Sequence, residues 1–389
     1  MSRSLPLDGA RRRPLVLAAT LLALAACADA STTAPAVALR ADADAASHGA
    51  VGGVFTTTNG ATENAVVAFA RAADGSLTLR GTYATGGRGI GGTADPLQSQ
   101  FALTLSRDAH WLFVANAGSD DVSAFRVAKD GLTLVGRAAS GGTRPVSVAV
   151  SHDVVYVLNA VSGDIGILRV GNDGSLALVG TRDLGAGSDG AAAIRVSPDG
   201  QTLAVTKRVS RTIEGIAIAR DGTLGAPVAT PSAGVVPFGF DYTPRGQIVV
   251  SEAGSGSASS YDQARDGALA LVSGPISTAG QRAPCWLIVD PSGRFAYTAN
   301  AGSASITGYS IASNGALALL TPGGLTGDLG AGAQPLDLDM SRDGRFLYVF
   351  ENGTGTIGAF AVDGSGNLAA LPDTPGLVAR GGYMGLAAY

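Results

Sequence analysis

Three short patterns recur in phase along this chain, and their spacing restricts the fold more than anything else in it. The first is a tight turn: Ser106-Arg107-Asp108, Ser151-His152-Asp153, Ser197-Pro198-Asp199-Gly200, Thr243-Pro244-Arg245-Gly246, Asp290 to Gly293, and Ser341-Arg342-Asp343-Gly344. The second is the residue that ends the strand after each turn: Asn59, Asn116, Asn159, Lys207, Glu252, Asn300 and Glu351. The third is a hairpin turn at Asp74-Gly75, Asp130-Gly131, Asp173-Gly174, Asp221-Gly222, Asp266-Gly267, Asn314-Gly315 and Gly366-Asn367. Between the first two, Phe295, Tyr297 and Ala299 show the period-2 alternation of a half-buried strand. Asn314-Gly315 predicts a type I′ hairpin, whose two central residues both need φ > 0.

Each unit holds four strands, A to D in chain order. In the third unit they are predicted at Val146 to Val150, Val154 to Leu158, Ile165 to Val170 and Leu176 to Gly180. Such a sheet has two apolar faces and cannot bury both alone. Packing the sheets radially, as propeller blades, buries them and leaves only short edges. Seven units over residues 51–389 take about 48 residues each, close to the known range of propeller repeats. The first unit supplies B, C and D at Gly52 to Thr58, Asn64 to Ala70 and Thr78 to Ala84, with no A strand ahead. Met384 to Tyr389 is a surplus strand at the other end. Pairing the two closes the ring and removes a free edge. The expected fold is all-β, a seven-bladed β-propeller closed by a C-terminal strand that completes the first blade.

The ring does not use the amino terminus. Arg3, Arg11, Arg12 and Arg13 precede an apolar run from Leu15 to Ala26, too short to span a bilayer and typical of an export signal. Leu24-Ala25-Ala26-Cys27 resembles a lipobox, so residues 1–26 are expected to be a lipoprotein signal peptide and Cys27 the lipidation site. Residues 27–50, rich in Ala, Thr, Ser and Asp, are expected to form a flexible tether. The protein would then be exported, membrane-anchored through lipid alone, and periplasmic or at the cell surface. Beyond residue 26 the chain carries 23 basic and 30 acidic side chains, a formal charge of −7. That balance, without a basic patch, argues against nucleic acid as a partner. A monomer is expected.

In a propeller, strand A lines the central channel. The start of A, the end of B and the D-to-A connection share one face, called here the entry face. The A–B and C–D turns share the other, the hairpin face. Gln98, Gln100, Arg144, Asp189, Gln281, Arg282 and Gln334 precede or open A strands. Asn at the end of B is the ordinary repeat residue, since it tolerates left-handed backbone and bonds its own chain. Lys207, Glu252 and Glu351 replace it with charges. Two carboxylates, an ammonium and two guanidinium groups around one mouth suit an anionic or hydroxylated ligand, or else a set of mutually neutralising ion pairs. Glu252 and Glu351 would also suit an oxygen-ligated divalent cation; no other cofactor is expected. His48, His110 and His152 are the only histidines and do not compose a multi-histidine metal site. Ser106, Asp108 and His110 occupy one tight turn, which points neighbouring side chains apart rather than into a triad. Cys285, beside Trp286 at the start of a strand A, is expected to pack between blades.

The units SRDGRFLYVFEN, Ser341 to Asn352, and DPSGRFAYTAN, Asp290 to Asn300, resemble the bacterial lactonase-type seven-bladed propellers. Those are related to the 6-phosphogluconolactonase and carboxymuconate-cyclising propellers and overlap the YVTN-repeat surface proteins. The likeness covers residues 51–389. Enzymatic members commonly carry histidines at the start of inner strands. The matching positions here read Thr143-Arg144-Pro145, Gln281-Arg282-Ala283-Pro284 and Gln334-Pro335, so only the arginines and the acidic strand ends carry over. The resemblance implies an exported lactonase that hydrolyses a lactone or sugar-acid ester at the channel mouth. Arg144 and Arg282 would hold a carboxylate or ring carbonyl and Glu252 or Glu351 would act as general base. Lys207, Gln334, Asn116, Asn159 and Asn300 would add ligand contacts. The competing expectation is a non-catalytic surface propeller that binds a glycan, peptide or protein partner.

Overall fold

In a computed structural model, which describes Met1 and residues 49–185 and 190–389, the repeats pair as their spacing requires. Seven antiparallel sheets follow one another, each built from consecutive strands apart from the first. The inner A strands are Met384–Ala388, Leu103–Leu105, Pro145–Ser151, Ala191–Val196, Pro237–Tyr242, Pro284–Val289 and Pro335–Met340, in the order of blades 1 to 7. No helix occurs among the described residues. Residues 2–48, which hold the expected signal segment after Met1, Cys27 and nearly all of the expected tether, lie outside them, as does Asp189.

The ring closes as expected. Met384–Ala388 pairs with Gly52–Thr57 through Val54↔Ala388, Phe55↔Ala387 and Thr57↔Met384. Tyr389 and Gly53 exchange both backbone hydrogen bonds, and the Arg71 Nε–H donates to the Tyr389 carbonyl at 2.9 Å. On its other side the same strand is gripped by blade 7. Leu386 N–H donates to Asp337 Oδ2 at 3.2 Å and Ala388 N–H to Asp339 Oδ2 at 2.8 Å. A strand held by both neighbours leaves no seam for another chain to enter.

Aromatic side chains on strand B do more than fill space. Tyr156, Tyr297 and Tyr348 each donate their hydroxyl at 2.9 Å to a glycine carbonyl in the C–D turn of the next blade: Gly222, Gly366 and Gly75. Each ring is buried, and its polar end finds the partner that burial demands. The C–D turns correct one expectation. At Asn314-Gly315 only Gly315 has positive φ, +86°, so the turn is not type I′. Gly315 N–H instead donates to the Ala312 carbonyl, and Asn314 Oδ1 accepts the Ala316 N–H at 3.1 Å. The Asx side chain supports a type I-like turn, and only the glycine needs left-handed backbone.

Blade 2 departs from the pattern. Its A strand has only three residues, because the chain ahead of it crosses the channel. Ser99 carbonyl accepts the Trp286 indole N–H at 2.9 Å, and Gln100 Nε2 donates to the Leu287 carbonyl at 2.8 Å, both in blade 6. Gln100 N–H donates to Ala192 of blade 4, and the Phe101 carbonyl accepts from Val148 of blade 3. A Cβ at Gly239 would collide with the Gln100 amide oxygen, so blade 5 is bare where the crossing passes. The crossing plugs the channel.

Candidate functional site

The B-strand ends of the entry face prove to be seam residues. Asn116 donates through Nδ2 to Asp121 Oδ1 (2.6 Å) and Ser123 Oγ (2.8 Å), while its Oδ1 accepts from Asn64 and Thr85 of blade 1. Asn159 donates to Asp164 Oδ1 and to the Ser140 carbonyl of blade 2. Asn300 donates to the hydroxyls of Ser305 and Thr307. All three are 0% exposed. Asn59 instead bonds the loop that follows blade 1, accepting from Ile90 N–H and donating to the Gly91 carbonyl.

The charged departures answer a rule of the fold. The side chain that ends B meets the residue seven positions later, on strand C: Asn116 meets Ser123, and Asn300 meets Thr307. In blade 4 that residue is Glu214, and Lys207 Nζ lies 3.4 Å from its Oε1 while donating to the Leu184 carbonyl at 2.8 Å. In blade 7 the residue is Gly358, which leaves room for the longer Glu351. Glu351 Oε2 accepts from Thr354 and Thr356, its Oε1 is buried without a partner, and burial pushes its carboxyl up to about 7. Glu252 accepts from Ser232 at 3.1 Å, with Oε2 buried and unpartnered; burial raises its carboxyl too. Glu252 and Glu351 thus occupy different seams, two blades apart. No cluster of His, Cys, Asp or Glu suited to a metal occurs among the described residues.

The strand-opening residues are likewise dispersed. Arg144 and Gln334 open blades 3 and 7 with positive φ, +60° and +48°. Arg144 N–H donates to Asp120 Oδ1, and the Gln334 amide oxygen accepts from Asn352. Arg282 is exposed, with Nη2 on the Gly302 carbonyl at 2.8 Å. Cys285 is buried, as expected.

Convergent chemistry lies instead at the channel mouth on the hairpin face. A cavity of about 340 Å³ is lined there by Phe101, Thr104, Arg195, Asp241, Asp339 and Arg342, among others. Arg195, Asp241 and Asp339 are each the fifth residue of an A strand, in blades 4, 5 and 7. Asp241 accepts the Tyr242 and Val289 N–H groups, and Arg195 Nε approaches its Oδ1 at 3.3 Å. The guanidinium carbon of Arg195 stands 3.9 Å over the Phe101 ring, so the plug forms the floor of this mouth. Asp339 accepts the Met340 and Ala388 N–H groups at 2.8 Å. Its carboxyl is nevertheless pushed up to about 6, because burial outweighs the nearby Arg195 charge and those hydrogen bonds. Arg342 Nη2 donates to the Ser106 carbonyl at 2.7 Å, and its guanidinium feels the Asp339 charge. Sequence reasoning missed this group. The available signal was a charge recurring at one position of strands that line a channel.

Fold and mouth together define a class: a seven-bladed propeller with a plugged channel and a charged pocket at one end. More specifically, the chain belongs to the lactonase family of seven-bladed β-propellers, whose model matches it at residues 58–186, 152–277 and 249–372. Among solved structures it is similar to a periplasmic gluconolactonase of Pseudomonas aeruginosa, with TM-score 0.68, 20% identity, and 87% of this chain and 98% of that one covered. It is also similar to a putative 6-phosphogluconolactonase of Bacteroides fragilis, with TM-score 0.67, 19% identity, and coverage of 87% and 97%. A streptogramin B lyase aligns more loosely, with TM-score 0.54, 14% identity, and coverage of 76% and 89%. At such identities the likeness is one of fold. No curated protein matches the chain.

Proposed function

We propose that this protein is a lactonase-type hydrolase whose reaction takes place at the hairpin-face mouth. The observation that carries the reading is Asp339, a cavity-lining carboxylate poised near 6 beside a guanidinium, in a chain of the lactonase family. Ionised Asp339 would take a proton from water as the oxygen attacks the lactone carbonyl carbon. Arg195 or Arg342 would stabilise the negative charge developing on the carbonyl oxygen. The ring C–O bond then breaks, the leaving alkoxide recovers the proton from Asp339, and a hydroxy acid departs. A pocket of about 340 Å³ is the size of a single small ring rather than a polymer. Export and anchoring through Cys27 belong to the same reading and rest on Leu24 to Cys27.

The test is acid release from a lactone panel. With Asp339 as base, kcat/KM rises with pH through about 6, and Asp339→Asn abolishes turnover in a chain that still folds, although the asparagine can accept only one of the two backbone N–H bonds and so lowers the melting temperature. A second reading is favoured by the hydrogen bonds that Asp241 and Asp339 accept from neighbouring strands, which give both a structural task. If no lactone turns over, yet a sugar acid binds and Arg195→Gln removes that binding, the protein is a binding module.

A further inference from the structure

A second group of arginines lies on the hairpin face, away from the axis, between blades 3 and 4. Its origin is a missing piece of chain. In blades 2, 4, 6 and 7 the A–B turn is framed by bonds from Ser106 to Trp111, Ser197 to Thr202, Asp290 to Phe295 and Ser341 to Phe346. In blade 3 Ser151 pairs directly with Val154, so the turn is two residues shorter. Neighbouring turns abut: Gly293 lies against Pro244, Gly344 against Pro291, and Gly200 against the Ser151 and His152 side chains of the short turn. The short turn of blade 3 consists of His152, at φ +53°, and Asp153, and opposite it stands a cleft of about 530 Å³.

The lining of that cleft is cationic. Arg169, Arg220, Arg265 and His152 line it, and Asp153 is the one acidic residue among the lining. Asp153 is already paired with Arg169 at 2.9 Å. Two further carboxylates lie close by, but both are turned into their own loops. Asp199 accepts from Ser197 and Gln201, and Asp221 from Thr223. Arg265 feels the charge of Asp199 without closing an ion pair, and Arg220 likewise has no ion pair or hydrogen bond among the described residues. His152 uses Nδ1 on Ser151 Oγ, which leaves Nε2 uncommitted.

We propose that this cleft is a binding site, separate from the channel mouth, for a small oxyanion of at least two negative charges, phosphate or carboxylate. Unpaired guanidinium groups offer the paired N–H donors that such oxygens accept best. The shortened turn supplies the space, and the outward arginines supply the charge.

Calorimetric titration of the full chain with inorganic phosphate and with citrate tests the proposal and separates the two chemistries. Saturable one-to-one binding of at least one of them is expected. The Arg220→Gln, Arg265→Gln double variant should weaken it by about tenfold or more, the loss expected for charge-assisted hydrogen bonds. Arg195→Gln, at the channel mouth, should leave it unchanged. Lengthening the blade 3 turn to match Ser197 to Thr202 should abolish binding; if that variant melts early, the arginine variants decide. No saturable binding of either anion at millimolar concentration overturns the proposal. So does a double variant that binds like the parent.

Discussion

Glu351→Gln separates a structural carboxylate from a catalytic one. Glu351 is 1% exposed, lies in the seam between blades 6 and 7, and titrates at about 7 against an ordinary 4.5. Its folded state holds the proton more tightly than the unfolded chain does. The stabilising contribution is therefore complete below about pH 4.5 and disappears as pH rises through about 7. A shift of that size corresponds to about 3 kcal/mol as an upper bound, and relaxation of the site around the charged form lowers the expected figure to roughly 1–2 kcal/mol. Glutamine keeps an oxygen to accept from Thr354 and Thr356 and cannot ionise. Urea unfolding at pH 5 and pH 8 should show the parent losing roughly 1–2 kcal/mol more than the variant over that interval. Asp95 and Asp339, raised to about 8 and about 6, add slopes of their own, but these cancel in the comparison. Equal losses in the two proteins would refute the argument. If the variant keeps its stability but loses lactone turnover, Glu351 is the base after all.

Two further perturbations address the ends of the chain. Deleting residues 384–389 removes buried Met384 and Leu386, worth roughly 1.5–3 kcal/mol each, against a usual total of about 5–15 kcal/mol. Aggregation or a steep fall in melting temperature is expected, and a truncated chain that melts like the parent would show that closure is not structural. Cys27→Ala should release the protein from the membrane fraction or stall its processing; unchanged partitioning in fractionated cells would remove the lipid anchor.

The ring and its closure were legible because repetition amplifies weak local signals. One tight turn says little, but six in register with strand ends and hairpin turns fix blade number, and a missing strand beside a surplus one fixes the seam. The charged strand ends read differently once their neighbours are placed. Taken alone, Lys207 suggests a ligand contact and Glu351 a base; the fold adds Glu214 opposite Lys207 and Gly358 as the space that Glu351 fills. Both partners stand seven residues along the chain, so the pairing rule was present in the sequence at a spacing that period-2 reasoning does not examine.

The channel mouth was hidden for a different reason. Residues 95–102 carry no periodic pattern, and what they do depends on contacts nearly two hundred positions away, such as Gln100 with Leu287. Without that crossing, the two mouths would join through an open channel, and polar residues at the start of strand A would be natural candidates. With it, the entry side of the axis is occupied by Ser99 and Gln100 and their hydrogen bonds to blades 3, 4 and 6. The hairpin side keeps a cavity, floored by Phe101 and ringed by Arg195, Asp241 and Asp339. A half-buried carboxylate such as Asp339 is tolerated there because its lone pairs meet backbone N–H groups and its charge meets Arg195. The same circumstances hold its proton near neutrality, so the features that let the ring contain a charge also fit that charge for proton transfer.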